Sequence, residues 1–241
     1  MPRDSSTDRS SIYRSLEKNK TPDFVTFSSL LRITAKYELP AIRCQLLEVV
    51  RDGYPETSEA VIPSEPLGEA IFSGPAPHPN EVLSLFVQQG LTSALPMAYY
   101  MAARRGPASL MNTRDPASAR LPPEILQAAT MGLIALREME IKETHRLIFG
   151  LMTFNTCSWL YCPSRNTSDP GMLDARRGVV DNITGSSEPG MKLLQVLSLE
   201  DACGGGCHGF CGDCEGRWES GHAEVRKKAW AALPEVFGLR A

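Results

Sequence analysis

Four cysteines, a histidine and five glycines fill ten of the twelve positions of "CGGGCHGFCGDC", residues 203–214. Two more cysteines, Cys157 and Cys162, stand upstream, and a seventh, Cys44, lies alone near the front of the chain. Thiolates at such spacing suit a metal, a redox pair or a set of reduced thiols, so the cysteines are where chemistry would reside. Zinc takes four soft or borderline ligands in a tetrahedron, usually as two close pairs. Cys211-x2-Cys214 has the tightest spacing for one pair, with Gly212 between the two thiols easing a backbone turn. Cys157-x4-Cys162 supplies a second pair. Together the four would tie off the loop between them, residues 163–192, which is rich in proline and glycine and has little core of its own.

Alternatives stay open at this level. The two pairs are separated by 48 residues, whereas a compact zinc ribbon uses about 15–20. Cys203, Cys207, His208 and His222 compete for the same ligand positions. Unligated reduced thiols, or a disulfide or redox role, remain competing readings. A catalytic zinc is disfavoured, because neither H-E-x-x-H nor H-x-E…P-C-x-x-C is present. The glycines do not form a phosphate-binding loop, since no strand precedes them and no Gly-Lys-Ser/Thr follows.

Other catalytic patterns are missing from the chain. There is no G-x-S-x-G, and His78, His145, His208 and His222 show no triad spacing. His145 shares a helix with Glu138 and Glu140 and is expected at a solvated rim, while His78, between two prolines, is expected to be exposed. Cys44 falls within a helical run and is expected to be a small core residue. The residues predict no enzyme, no catalytic residue and no organic cofactor; structural zinc is the only cofactor they suggest.

The whole chain has 241 residues, 42% of them hydrophobic, which predicts a packed globule. A net charge of −3 offers no broad electrostatic footprint for nucleic acid. Arg176-Arg177 and Arg226-Lys227-Lys228 read as solvated faces. The polar N-terminus lacks the apolar core of a secretory signal, and no stretch approaches the about 20 apolar residues that cross a bilayer. These features predict an intracellular protein, cytoplasmic or nuclear, without a membrane partner. The odd number of cysteines then disfavours a disulfide framework.

Hydrophobic periodicity predicts a mainly α fold: a helical hairpin, then an irregular helical region with long Pro/Gly-rich loops. The first helix lies in "FSSLLRITAKY", with Leu30, Leu31, Ile33 and Ala35 buried and Ser28 or Ser29 helping to cap it. The second starts near Pro40 and stops at Gly53, with Ile42, Leu46 and Val49 or Val50 sharing a face. Residues 53–80 carry six prolines and read as a loop. Helix resumes in "EVLSLFVQQG" and in "LTSALPMAYYMAARRG", the latter broken or started near Pro96. The longest signal is residues 122–152, with Leu126, Thr130, Leu133, Leu136, Ile141, Thr144, Ile148 and Leu151 along a broad face. Gly132 within it suggests close packing. A short helix, "MKLLQVLSLEDAC", leads into the cysteines, and a last one begins near Gly221.

Five stretches occur in an order and spacing similar to a known group: "FSSLLRITAKYELPAIRCQLLEVVRDGYP", "LTSALPMAYY", "LPPEILQAATMGLIALRE", Cys211-x2-Cys214 and "KKAWAALPEVFGL". Across about residues 22–241 the chain resembles fungal BTB-domain-containing proteins, especially those of mushroom-forming basidiomycetes. In that group a BTB fold, a protein-interaction and dimerisation module, precedes a helical region. Only 11 residues stand before Ile12, where the BTB strands and first helices would lie. The resemblance therefore implies a flexible lead-in over 1–22, the last BTB helices over 23–56, a linker over 57–80 and a post-BTB region over 81–241. BTB-type homodimerisation and cullin-ligase adaptor roles would lack their core.

The leading expectation is a non-enzymatic protein-interaction protein with an unidentified protein partner and a structural zinc on Cys157, Cys162, Cys211 and Cys214. A zinc-dependent nucleic-acid regulator is the second reading. It is opposed by Glu200, Asp201, Asp213, Glu215, Glu219 and Glu224 against Arg217 alone in residues 197–224. A thiol-redox protein is the third.

Overall fold

The computed structural model describes residues 22–57, 71–106, 110, 121–152, 177, 180–181, 194 and 212–239. Among them are six helices, α1 (Phe24–Lys36), α2 (Pro40–Gly53), α3 (Pro79–Gln89), α4 (Leu95–Ala103), α5 (Pro123–Met152) and α6 (Gly212–Val236), and no strand. The fold is mainly α.

The cap of α1 is Asp23, not Ser28 or Ser29. Its carboxylate accepts from the Thr26 backbone N–H at 2.9 Å and from the Thr26 hydroxyl at 2.8 Å. Ser28 instead donates to the Val25 carbonyl within the helix. Phe27, Leu31 and Thr34, at i, i+4 and i+7, form the buried stripe of α1. Ile33 and Ala35, expected inside, are exposed because they lie off that stripe. Pro40 opens α2, where its missing N–H costs nothing. Leu46 and Val50 are buried, with Ile42 and Val49 packed at their edge. Cys44 is exposed rather than a core residue, since two positions before Leu46 is about 200° around a helix.

Three residues, Tyr37–Leu39, connect α1 to α2. The Leu39 N–H reaches back to the Thr34 carbonyl at 3.0 Å and the Tyr37 N–H to the Ile33 carbonyl at 2.9 Å. Glu38 between them takes φ 52°, a left-handed conformation that usually selects glycine. The same closing bond ends α3 at Gly90 and α6 at Gly238, both glycines with positive φ. Gly53 ends α2 for another reason: a Cβ there would collide with the Ile71 side chain.

After Tyr54 the chain returns at Ile71. Phe72 meets Phe24 and Phe27 edge-on, both at 5.2 Å, and the Ser73 N–H donates to the Pro22 carbonyl. His78 is half-buried rather than exposed, and its Nδ1 accepts from the Asn80 N–H at the start of α3. Helix α4 starts at Leu95 with Pro96 in its first turn, so Pro96 initiates the helix rather than breaking one. From Met97 to Ala103 every side chain is buried, as expected of a helix apolar all round. It packs against α3, α5 and α6.

Helices α5 and α6 run antiparallel. Near one end of the pair a Cβ on Gly132 would collide with the Phe237 ring, so this glycine does serve close packing; near the other a Cβ on Gly221 would come within 2.7 Å of Leu147 Cδ2. Phe237 stacks on Tyr99 at 5.3 Å, and burial pushes the Tyr99 phenol up from its ordinary value. The buried face of α5 is Ile125, Ala129, Leu133, Leu136, Glu140, Thr144 and Leu147. Ile141, assigned to the core by hydrophobicity, is exposed, and Glu140 takes the inward position. Its carboxylate, fully buried, is 2.7 Å from the Arg137 guanidinium one turn back.

Helix α6 starts at Gly212, earlier than the sequence reading at Gly221. Trp218, His222, Val225, Ala229, Trp230 and Leu233 give it a buried stripe that outweighs three glycines. Leu110 and Leu194 are helical and buried, and Arg177, Val180 and Asp181 are helical within a stretch expected to be loop.

Candidate functional site

Most of the residues expected to hold a metal lie outside the described residues: Cys157, Cys162 and Cys211 of the leading set, and Cys203, Cys207 and His208 of the alternatives. The backbone of Cys214 is in the first turn of α6. That position turns Gly212–Cys214 into helix rather than the looser turn that Gly212 suggested. His222, a competing ligand in the sequence, is buried and stacks on the Trp218 indole with centroids 5.7 Å apart and planes 20° apart. It is placed as a core side chain. Among the described residues, no three His, Cys, Asp or Glu side chains gather as a metal-binding group.

The other histidine of interest, His145, is exposed as expected. Lys227 and Lys228 are exposed, and so is Arg177, in keeping with solvated basic faces. Among the described residues no helix is long and apolar enough to cross a membrane.

A different region stands out on the surface. Seven large apolar side chains are exposed among the described residues, and four of them, Val25, Ile33, Tyr37 and Leu39, belong to α1 and the elbow that follows. Val25 is 72% exposed and Tyr37 62%. Single exposed apolar residues are ordinary, but several within fifteen residues of one helix and its turn are not. Val25 and Ile33 lie on α1 off the stripe of Phe27, Leu31 and Thr34, so this short helix carries apolar residues on two faces, and Tyr37 and Leu39 follow in the elbow beyond its end.

Two concavities flank this surface. One, of about 480 Å³, lies between α1 and α3, with Phe24, Val25 and Leu85 as its apolar part and Ser28, Arg32, Glu81 and Gln88 among its polar part. The other, of about 470 Å³, lies at the elbow and is bounded by Glu38, Leu39, Pro40 and Arg43. Arg43 is fixed by a 3.1 Å bond to the Gln89 carbonyl, which braces α2 against the end of α3. The Lys36 ammonium lies 5.3 Å from the Tyr37 ring centre. The result is a half-apolar surface on a braced backbone, with both charge signs at its margin. Hydrophobicity assigns Ile33 to the core, whereas the structure leaves it exposed. The spacing Val25, Ile33, Tyr37, out of step with Phe27 and Leu31, was the signal that could have revealed it.

Compared with known proteins, the chain matches no family model, no curated protein and no solved structure.

Proposed function

We propose that the chain is a non-enzymatic helical interaction protein, akin to the post-BTB part of fungal BTB proteins, that receives a protein partner on the outer side of α1 and the elbow. The observation that carries this reading is the exposure of four large apolar side chains, Val25, Ile33, Tyr37 and Leu39, within fifteen residues of α1 and the elbow. Apolar groups spaced along a helix and framed by polar residues suit a partner that buries its own apolar side chains there. A structural zinc on Cys157, Cys162, Cys211 and Cys214 is the second part of the proposal. What supports it is the spacing of the two pairs, Cys157-x4-Cys162 and Cys211-x2-Cys214, on either side of a stretch rich in proline and glycine.

The test of the surface compares wild-type protein with Ile33→Asp and Tyr37→Asp in pull-downs from native extract, with thermal melting as a control. Support is a protein that binds wild type and is lost from both variants while their melting is unchanged. Identical retained proteins across all three would overturn the surface assignment. Metal analysis of protein purified without chelator tests the zinc. About one zinc per chain and a lowered melting temperature in EDTA are expected. Zinc near zero and melting indifferent to EDTA would remove the metal from the proposal.

A further inference from the structure

We draw no further inference here: the strongest candidate, the concavity at the elbow where the uncapped start of α2 meets Arg43, rests on a helix N-terminus whose neighbouring guanidinium is already engaged by the Gln89 carbonyl, and nothing in the structure points to a ligand there.

Discussion

The α1–α2 hairpin and the antiparallel α5–α6 pair are joined differently: the first turns within Tyr37–Leu39 and the second is joined across residues 153–211. The hairpin is short and draws its registry from its turn: Pro40 presets the start of α2, and the bond from Leu39 to Thr34 fixes the angle of entry. The long pair has no such turn and is aligned by shape. Gly132 receives the Phe237 ring near one end and Gly221 receives Leu147 near the other. The two also differ in what they hide. The hairpin buries apolar groups and one threonine and leaves apolar groups on its outer side. The long pair buries a carboxylate, a threonine and a histidine. Local chain geometry thus suffices to position the hairpin, whereas the long pair depends on side chains that fit only in one alignment.

The sharpest way to break this contrast is to put the same charge on both sides of the hairpin. Leu46→Asp buries an unpaired carboxylate and is expected to cost on the order of 4 kcal/mol or more by urea denaturation. Ile33→Asp, on the exposed side, is expected to stay within about 0.5 kcal/mol of wild type. Equal losses would mean that the outer side is not outer.

Next in size is the pair of glycines. Gly132→Ala is expected to cost about 1–3 kcal/mol, because the ring it displaces is stacked on Tyr99. Gly221→Ala meets only the tip of a flexible leucine, and a helix-propensity gain of about 1 kcal/mol offsets the shift. It should be close to neutral. In a Phe237→Leu background the Gly132→Ala cost should shrink markedly; if it does not, the ring is not what Gly132 accommodates.

The elbow offers a smaller effect of opposite sign. Glu38→Gly is expected to stabilise by about 0.5–1 kcal/mol, since glycine accepts φ 52° without a Cβ clash. A loss would show that the Glu38 side chain contributes more than its backbone strain costs.

The smallest effect belongs to the cap. The Thr26 backbone N–H, and then the Thr26 hydroxyl, hold the Asp23 carboxyl below its ordinary value of 3.8. Between the folded and ordinary values the unfolded chain binds more protons, so the stabilisation is present above pH 3.8 and fades as pH falls through the lowered folded value. Asp23→Ala should therefore lower the melting temperature at neutral pH and make little difference in strong acid. A deficit that persists unchanged in acid would mean that the charge of Asp23 is irrelevant.

Where local rules dominate, the sequence was readable. Pro40, Gly53 and the Leu46–Val50 spacing located α2, and Pro96 marked the start of α4. It misled where tertiary contacts reverse a local preference. Hydrophobicity selects Ile141 over Glu140, but the stripe on α5 needs position 140, and Arg137 makes the buried carboxylate tolerable. Glycines at 212, 216 and 221 argue against helix, yet Trp218 and His222 bury enough surface to impose one. Serines 28 and 29 resemble caps, but Asp23 lies where the first free N–H groups point. The outer surface of α1 was hidden by the assumption that an apolar residue on a helix faces inward. Cysteine spacing alone yields a set of candidate ligands, not their arrangement in space.

Helix α4 has a consequence for how the protein is made. Its apolar girdle from Met97 to Ala103 is covered partly by α5 and α6, and α6 ends about 130 residues later in the chain. At a synthesis rate of about 5–20 residues per second, the ribosome needs on the order of ten seconds to deliver that cover. Of its helical neighbours only α3 is present at first; α5 follows, and the share of the cover that α6 supplies comes after both. Full cover of the girdle is thus complete only once α6 has emerged.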